Sequence, residues 1–315
     1  MSIEQKIKQN IPLASLTTFK IGGPAKFFVE VKSKEELSDA VEWAKTNKEK
    51  LFILAGGSNI LINDNGINGL VVKIANNDLR VKGERIECGA GASLSAAASL
   101  AIGKNLTGLE WSIGIPGATV GGAIKGNAEA FGAATADIVE TVEIFNAKKL
   151  KFKTLSNRDC GFGYRASIFK ERDEYIIWSA VLRLKKENPD IIQELVKQSI
   201  DFRQQKYPKL PSAGSVFKNI PMKVIERQNP VLAEEVRQKL SSPFENVGAG
   251  LIIDMLGLKG KTIGGAKISL EHANHIVNTG KATAGDVVML ISYIKQQVRD
   301  KFGIQLNEEV RYFGF

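Results

Sequence analysis

"LFILAGGSNILINDNGINGLVVKI", residues 51–74, decides how the rest of the chain is read. Leu51–Leu54 is a short apolar run that ends in Ala55-Gly56-Gly57-Ser58-Asn59, and a second apolar run, 69–74, follows a turn-rich stretch. Such runs, bounded by glycine and asparagine, read as buried strands. A glycine loop leaving a buried strand can present consecutive backbone N–H groups to a phosphate. A Gly-Gly pair is more often only a tight turn, so this loop needs support from elsewhere.

On the N-terminal side, Ser33 and Glu36 form a capping-box pattern, and Leu37, Val41 and Ala44 follow at helical spacing. "TTFKIGGPAKFFVE" (17–30) reads as a strand, a Gly-Gly-Pro turn and a second strand. Strand, helix, strand, glycine loop, strand is the opening of a small α/β unit. Beyond residue 81, short β segments alternate with "CGAGAS" (88–93), an Ala-rich helix ending at Gly103, and "GIPGATVGGAIKGNAEAFG" (114–132). That last stretch holds a second glycine loop, Gly117 through Gly122. A strand pair is expected at 138–145 and 176–184. After "KENPD" comes a long helix with Ile192, Leu195, Ile200 and Phe202 on its apolar side, and a domain boundary is placed near there. Residues 221–246 are polar and helix-prone and read as an insertion. "AGLIIDMLG" (249–257) is a short helix stopped by Gly257. Thr283 and Asp286 cap a final helix carrying Val287, Ile291, Ile294 and Val298.

The composition is that of a globular protein: 315 residues, 43% hydrophobic and 24% charged. The formal charge of +9 is spread along the chain without Lys/Arg blocks, which favours small anionic ligands over nucleic acid. Cys88 and Cys160 are the only cysteines and form no C-x-x-C pair, so neither a disulfide framework nor a zinc site is indicated. There is no apolar run long enough for a membrane span, and the first twenty residues lack a signal-peptide core. A cytoplasmic protein is expected.

Two nucleotide motifs are ruled out. "GLKGKT" ends like a phosphate loop, but Met255 stands where its first glycine belongs. "GAGASL" has only the first two glycines of a Rossmann fingerprint. If a dinucleotide binds, another fold holds it. His272 and His275 are the only histidines, and no further ligands accompany them, so no metal is expected. In "CGFGYRASIFK" (160–170), Arg165 beside Tyr164 could clamp a carboxylate or phosphate, or serve structurally. Glu309 lies in an alternating segment that looks like a strand. "PSAGSVFKN" (211–219) is either a turn or the seat of a reactive Ser215, and its own residues leave both open.

"TTFKIGGPA", "AGGSNILI", "GIPGATVGGAI", "GYRASIFK", "PSAGSVFKN", "GLKGKTIGGAKIS", "HIVNTGKATAGDV" and "EEVRYFG" occur in this order. Together they resemble the UDP-N-acetylenolpyruvoylglucosamine reductase family along essentially the whole chain. The resemblance implies an α+β architecture. Two FAD-binding subdomains of the vanillyl-alcohol-oxidase type (1–75 and 76–187) precede an α/β substrate-binding domain (188–315). It implies non-covalent FAD, since the first loop has no His or Cys to tether it. The flavin would be held by Gly56, Gly57, Ser58, Asn59, Ile60, Gly117, Thr119, Gly121 and Gly122. NADPH is the implied co-substrate, and UDP-N-acetylglucosamine enolpyruvate the implied acceptor of the hydride, in peptidoglycan precursor synthesis.

By the same resemblance Ser215 is the proton donor to C2 of the enolpyruvyl group. Arg165 stabilises the substrate carboxylate, and Glu309 is a third catalytic residue. Lys206 and Asn219 bind the diphosphate and uridine end, while Tyr164 and His272 lie in segments near the substrate. No metal, nucleic acid, membrane or obligatory protein partner is implied. Ala55 replaces the first Gly of a usual triple-Gly loop, the second loop is one residue longer than the common form, and Glu129 stands where Gly is usual. His275 stands where an aromatic is common. The short segment between Arg165 and Lys206 fits the type II form. Two other readings remain at this point. Another FAD oxidoreductase of the same fold, acting on a sugar or hydroxy acid, would keep the loops but has no reason to keep Ser215, Arg165 and Glu309 together. A non-catalytic nucleotide-binding protein would leave the C-terminal third unexplained.

Overall fold

The two apolar runs of 51–74 become neighbouring parallel strands, Leu51–Leu54 and Ile67–Ile74, with Leu51 opposite Leu70. In this structure, a computed structural model that describes residues 2–240 and 245–315, the contacts gather the chain into two units. Unit 1 comprises Met1–Pro12, Pro24–Gly57 and Ile67–Gln205; unit 2 comprises Leu13–Gly23, Ser58–Gly66 and Lys206–Phe315. Each has its own apolar core.

Unit 1 contains two larger sheets beside two two-stranded ones. The first is ordered Lys8–Pro12, Pro24–Val31, Ile67–Ile74, Leu51–Leu54, with an antiparallel first pair and parallel pairs after it. Ile67–Ile74 sits between two partners and reads almost continuously apolar, as a strand covered on both faces does. The helix Lys34–Thr46 forms with its capping box in place: the Glu36 amide donates to Ser33 Oγ (3.2 Å) and the Ser33 amide to Glu36 Oε2 (3.4 Å). It buries Leu37, Ala40, Val41 and Ala44. The second sheet is antiparallel, ordered Lys151–Ser156, Val139–Asn146, Tyr175–Arg183, Arg85–Gly89, Leu79–Lys82.

Unit 2 is built on an antiparallel sheet ordered Ser212–Ser215, His275–Asn278, Ala266–Ile268, Thr262–Ile263. The helix Ala284–Phe302 packs Val287, Leu290, Ile291, Ile294 and Val298 into its core. Its N-terminus is capped twice. Thr283 and Asp286 exchange bonds of 3.0 Å, and the Asp64 carboxylate accepts from the amides of Ala284 (2.8 Å) and Gly285 (3.2 Å).

Five expectations change. Residues 17–21 are not a strand; Phe19 and Ile21 plug the core of unit 2, and Asn278 Nδ2 donates to the Phe19 carbonyl (3.2 Å). Their alternation mimics a strand because two anchors, two residues apart, point the same way. The strand that does precede the Gly-Gly-Pro turn is Lys8–Pro12, paired with Pro24–Val31.

The long helix Pro189–Lys206 buries Ile192, Ser199 and Arg203, while Leu195 (39%) and Phe202 (42%) are exposed. A buried guanidinium needs hydrogen-bond acceptors. Arg203 donates to the carbonyls of Ser199 (3.1 Å) and Trp111 (2.5 Å), so a polar anchor sets the inward face and apolar periodicity misplaces it. This helix groups with unit 1 through Gln205, beyond the boundary placed at 187.

Residues 221–240 are core of unit 2: the helices Met222–Gln228 and Pro230–Lys239 bury Ile225, Leu232, Ala233 and Val236. Of the segment read as an insertion, 241–244 lie outside the described residues. Glu309 is not within a strand either; it precedes Arg311–Phe313, which pairs in parallel with Ile60–Ile62.

If 221–240 is core rather than insertion, Leu232→Ala removes a side chain that is 2% exposed and is expected to cost about 2–5 kcal/mol in urea unfolding. A cost near zero refutes the packing.

Candidate functional site

In unit 1 the two glycine loops meet. A Cβ placed on Gly56 would fall 1.7 Å from the Gly117 carbonyl oxygen, so only glycine permits this approach. Ala55 Cβ is 3.7 Å from where a Gly122 Cβ would stand. Three amides of the second loop are committed to the protein. Val120 N–H donates to Ala92 O (2.9 Å), Gly121 N–H to Ala90 O (2.9 Å) and Gly122 N–H to Thr119 Oγ1 (3.2 Å). The N–H groups of Gly121 and Gly122, which the sequence reading places at the cofactor, are thus bonded within the protein.

The loop leads into the helix Val120–Gly126, which ends at Asn127 in the left-handed region (φ 42°). Beyond it lies a two-residue hairpin. Gly163 and Ala166 exchange backbone hydrogen bonds (3.1 and 3.0 Å), leaving Tyr164 and Arg165 at the tip. Arg165 has φ 51°, a conformation that costs a non-glycine residue about 1–3 kcal/mol and persists where the surroundings impose it. Lys170 Nζ donates to the Arg165 carbonyl (2.6 Å).

In unit 2, Ser215 ends the edge strand Ser212–Ser215, opposite His275. Between the pairs Ser212↔Val277 and Ser215↔His275 the first strand has one extra residue, a bulge at Gly214 with φ 76°. A bulge bends the strand and re-aims the side chain beside it. The small-residue run is thus a strand end with a backbone irregularity, and Ser215 stands directly after it.

The next two residues are clamped on both edges. Val216 N–H donates to Asn274 O (2.8 Å), while Phe217 N–H donates to Asn274 Oδ1 (2.9 Å) and Asn274 Nδ2 donates to Phe217 O (2.8 Å). On the other side Glu309 N–H donates to Val216 O (2.7 Å). Ser215 and Glu309, almost a hundred positions apart, are thereby held on adjacent segments. Asn59 joins them: its Nδ2 donates to the Glu309 carbonyl (3.3 Å), and its own carbonyl accepts from Arg311 N–H (3.1 Å).

His275 is 3% exposed, its ring 4.7 Å from that of His272 and 5.3 Å from that of Tyr207. Burial, with His272 adding to it, pushes its pKa down to about 3. His272 is also lowered, by burial first and then by Lys259, with Lys206 a smaller contributor; its Nδ1 accepts from Asn274 N–H (3.1 Å), which puts its proton on Nε2. Both imidazoles are neutral at neutral pH. Asn219 is exposed just beyond the clamp. Cys88 and Cys160 are buried free thiols pushed up to about 12 and about 11, too high for nucleophilic or tethering roles. Among the described residues no cluster of three metal-ligating side chains occurs, and no helix is long and apolar enough to cross a membrane.

Asn274 and the Gly214 bulge escaped the sequence reading. A signal for the first was present: Asn274 and Asn278 flank the apolar "HIV", and a buried asparagine beside a strand is there to bond backbone.

A family model described as "FAD binding domain" matches residues 25–149, which contain both glycine loops. One described as "UDP-N-acetylenolpyruvoylglucosamine reductase, C-terminal domain" matches residues 205–313. Among curated proteins, the UDP-N-acetylenolpyruvoylglucosamine reductase of Caldanaerobacter subterraneus subsp. tengcongensis is 38% identical over 99% of this chain and 95% of its own length. That of Anoxybacillus flavithermus is 38% identical over 98% and 94%. Among solved structures, the UDP-N-acetylenolpyruvylglucosamine reductase of Thermus caldophilus superposes with a TM-score of 0.77 at 32% identity, covering 98% of this chain and 99% of that one.

The burial of neutral His275 has a sign that can be checked. An unfolded histidine titrates near 6.5 and this one at about 3, so between those values the unfolded chain holds the extra proton. Stability is full above 6.5 and is lost as pH falls toward 3, by up to about 1.4 kcal/mol per pH unit. His275→Phe is expected to flatten this part of the curve when urea unfolding is repeated from about pH 8 to about pH 5. An unchanged slope refutes the buried neutral imidazole.

Proposed function

This chain belongs to the UDP-N-acetylenolpyruvoylglucosamine reductase family, and we propose how its own residues divide the work of that reaction. It is an FAD-dependent oxidoreductase that uses NADPH to reduce UDP-N-acetylglucosamine enolpyruvate to UDP-N-acetylmuramate, a peptidoglycan precursor. We place the reaction in the cytoplasm, a reading that the two free thiols support.

The glycine loops fit the cofactor. Gly56 and Gly117 approach so closely that no side chain can stand between them, which leaves backbone as the surface offered to a diphosphate. Gly56, Gly57, Gly117 and Thr119 hold the cofactor from unit 1, and Ser58, Asn59 and Ile60 continue the first loop. Gly121 and Gly122 shape the second loop without donating. Bound FAD supplies the hydride added to C3 of the enolpyruvyl ether.

Addition at C3 leaves an electron pair at C2, delocalised into the neighbouring carboxylate. Arg165 places its guanidinium on that carboxylate, where charge grows as the reaction proceeds, so its effect is largest in the transition state. Ser215 transfers its hydroxyl proton to C2, completing the saturated product. A serine hydroxyl is a weak acid, so the oxygen it leaves behind needs stabilisation or a replacement proton; Glu309, held beside it through Val216, serves there. Lys206 and Asn219 bind the diphosphate and uridine end. Tyr164, at the hairpin tip with Arg165, contacts the substrate, and His272, neutral with its proton on Nε2, is a hydrogen-bond donor toward it.

The observation that carries this reading is the Gly214 bulge together with the Val216 clamp. An edge strand that served only the sheet would not need an extra residue directly before Ser215.

Ser215→Ala is expected to leave anaerobic flavin reduction by NADPH within about twofold and to slow reoxidation by the enolpyruvyl sugar about 10²–10⁴-fold in stopped-flow absorbance. Equal loss of both half-reactions removes Ser215 as the acid. Gly56→Ala is expected to weaken FAD retention by about tenfold or more, read as the flavin absorbance that survives gel filtration. Full retention means that the two loops do not hold the cofactor.

A further inference from the structure

The hairpin that carries Arg165 is hydrogen-bonded to a residue given no role above. We propose that Asn127 is the positioning residue for Arg165, an inference that rests on reading Arg165 as the group that binds the substrate carboxylate.

Asn127 closes the helix Val120–Gly126, and its left-handed backbone alone would satisfy that role, since glycine and asparagine are the usual residues there. Its side chain does something else. It is 4% exposed and makes two outward hydrogen bonds: Nδ2 donates to the Gly163 carbonyl (2.9 Å), and Oδ1 accepts from Ala136 N–H (2.9 Å). The Gly163 carbonyl is the same group that accepts from Ala166 N–H and closes the hairpin around Tyr164 and Arg165. Asn127 therefore occupies the second lone pair of the atom on which the hairpin turns.

The far side of the hairpin is tied to the same helix. Ser167 Oγ donates to Lys125 O (2.7 Å), and Lys125 Nζ donates to Phe169 O (2.7 Å). With both flanks pinned, the positive φ of Arg165 is imposed on it. Released at Gly163, the tip can relax toward negative φ, and the guanidinium at the end of a long side chain moves by far more than its backbone does. The helix that starts at the second glycine loop thus ends by aiming the arginine.

Asn127→Asp tests this. The carboxylate still accepts from Ala136 N–H and tolerates the left-handed backbone, but it presents an oxygen to the Gly163 carbonyl in place of a donor. The readout is anaerobic stopped-flow of both half-reactions on the FAD-loaded enzyme, in the wild-type and Arg165→Ala backgrounds. Asn127→Asp is expected to slow reoxidation by the enolpyruvyl sugar about 10–100-fold, as misplacement by an ångström does, with flavin reduction by NADPH within about twofold. In the Arg165→Ala background it is expected to add less than about twofold, because the two residues act as one unit. If the cost is the same in both backgrounds, or both half-reactions fall together, Asn127 is not positioning Arg165. If Arg165→Ala itself leaves reoxidation unchanged, the role given to Arg165 fails first, and that outcome is separate from the others. Should Asn127→Asp fail to fold, Asn127→Gly keeps the left-handed backbone, loses both side-chain bonds and runs the same cycle.

Discussion

Four backbone groups, the N–H and C=O of Val216 and of Phe217, govern unit 2. Asn274 takes three of them with its carbonyl and its side-chain amide, and Glu309 N–H takes the fourth. Each buried group left unpaired would cost about 1–3 kcal/mol, so the segment has one seating. The sheet lies on one side of that seating and the C-terminal segment on the other. Ser215 immediately precedes it, and the bulge at Gly214 decides where the serine points. Ser215 thus stands directly beside a segment whose backbone groups are bonded on both edges.

Unit 1 uses a different constraint for a related purpose. There the Cβ atoms that are missing matter most: Gly56 against the Gly117 carbonyl brings two loops from distant parts of the sequence into contact. The amides of Val120, Gly121 and Gly122 are spent on holding the second loop against Ala90, Ala92 and Thr119. A glycine-rich stretch is commonly read as a set of free donors. Here three of those donors hold the loop itself in place, and the helix that follows is hydrogen-bonded to the segment around the Arg165 hairpin.

Much of the fold was legible locally. The capping boxes at Ser33 and Thr283, the run of apolar residues on the last helix, and the strands around 51–74 and 138–184 follow from hydrogen-bonding and periodicity rules that operate within a few residues. The failures share a cause. Phe19 and Ile21 look like a strand because alternation is the only local trace of two separate anchors. Arg203, an inward charge on a helix with exposed Leu195 and Phe202, is invisible to any rule that sorts residues by polarity, since its acceptor is the carbonyl of Trp111. Residues 221–240 look polar because only four of their side chains, Ile225, Leu232, Ala233 and Val236, are fully buried in the core.

By itself the sequence determined the family and the cofactor class, because motif order and spacing survive in the chain as written. Only the tertiary structure decided which amides of the glycine loops are committed, that Ser215 and Glu309 share one clamp, that His275 is buried and neutral, and that Asn127 reaches the Arg165 hairpin. Each of these depends on pairing between segments tens to hundreds of residues apart. Such pairing is set by the energy of burying and satisfying backbone groups across the whole unit, and no short window of sequence contains both halves of the bond.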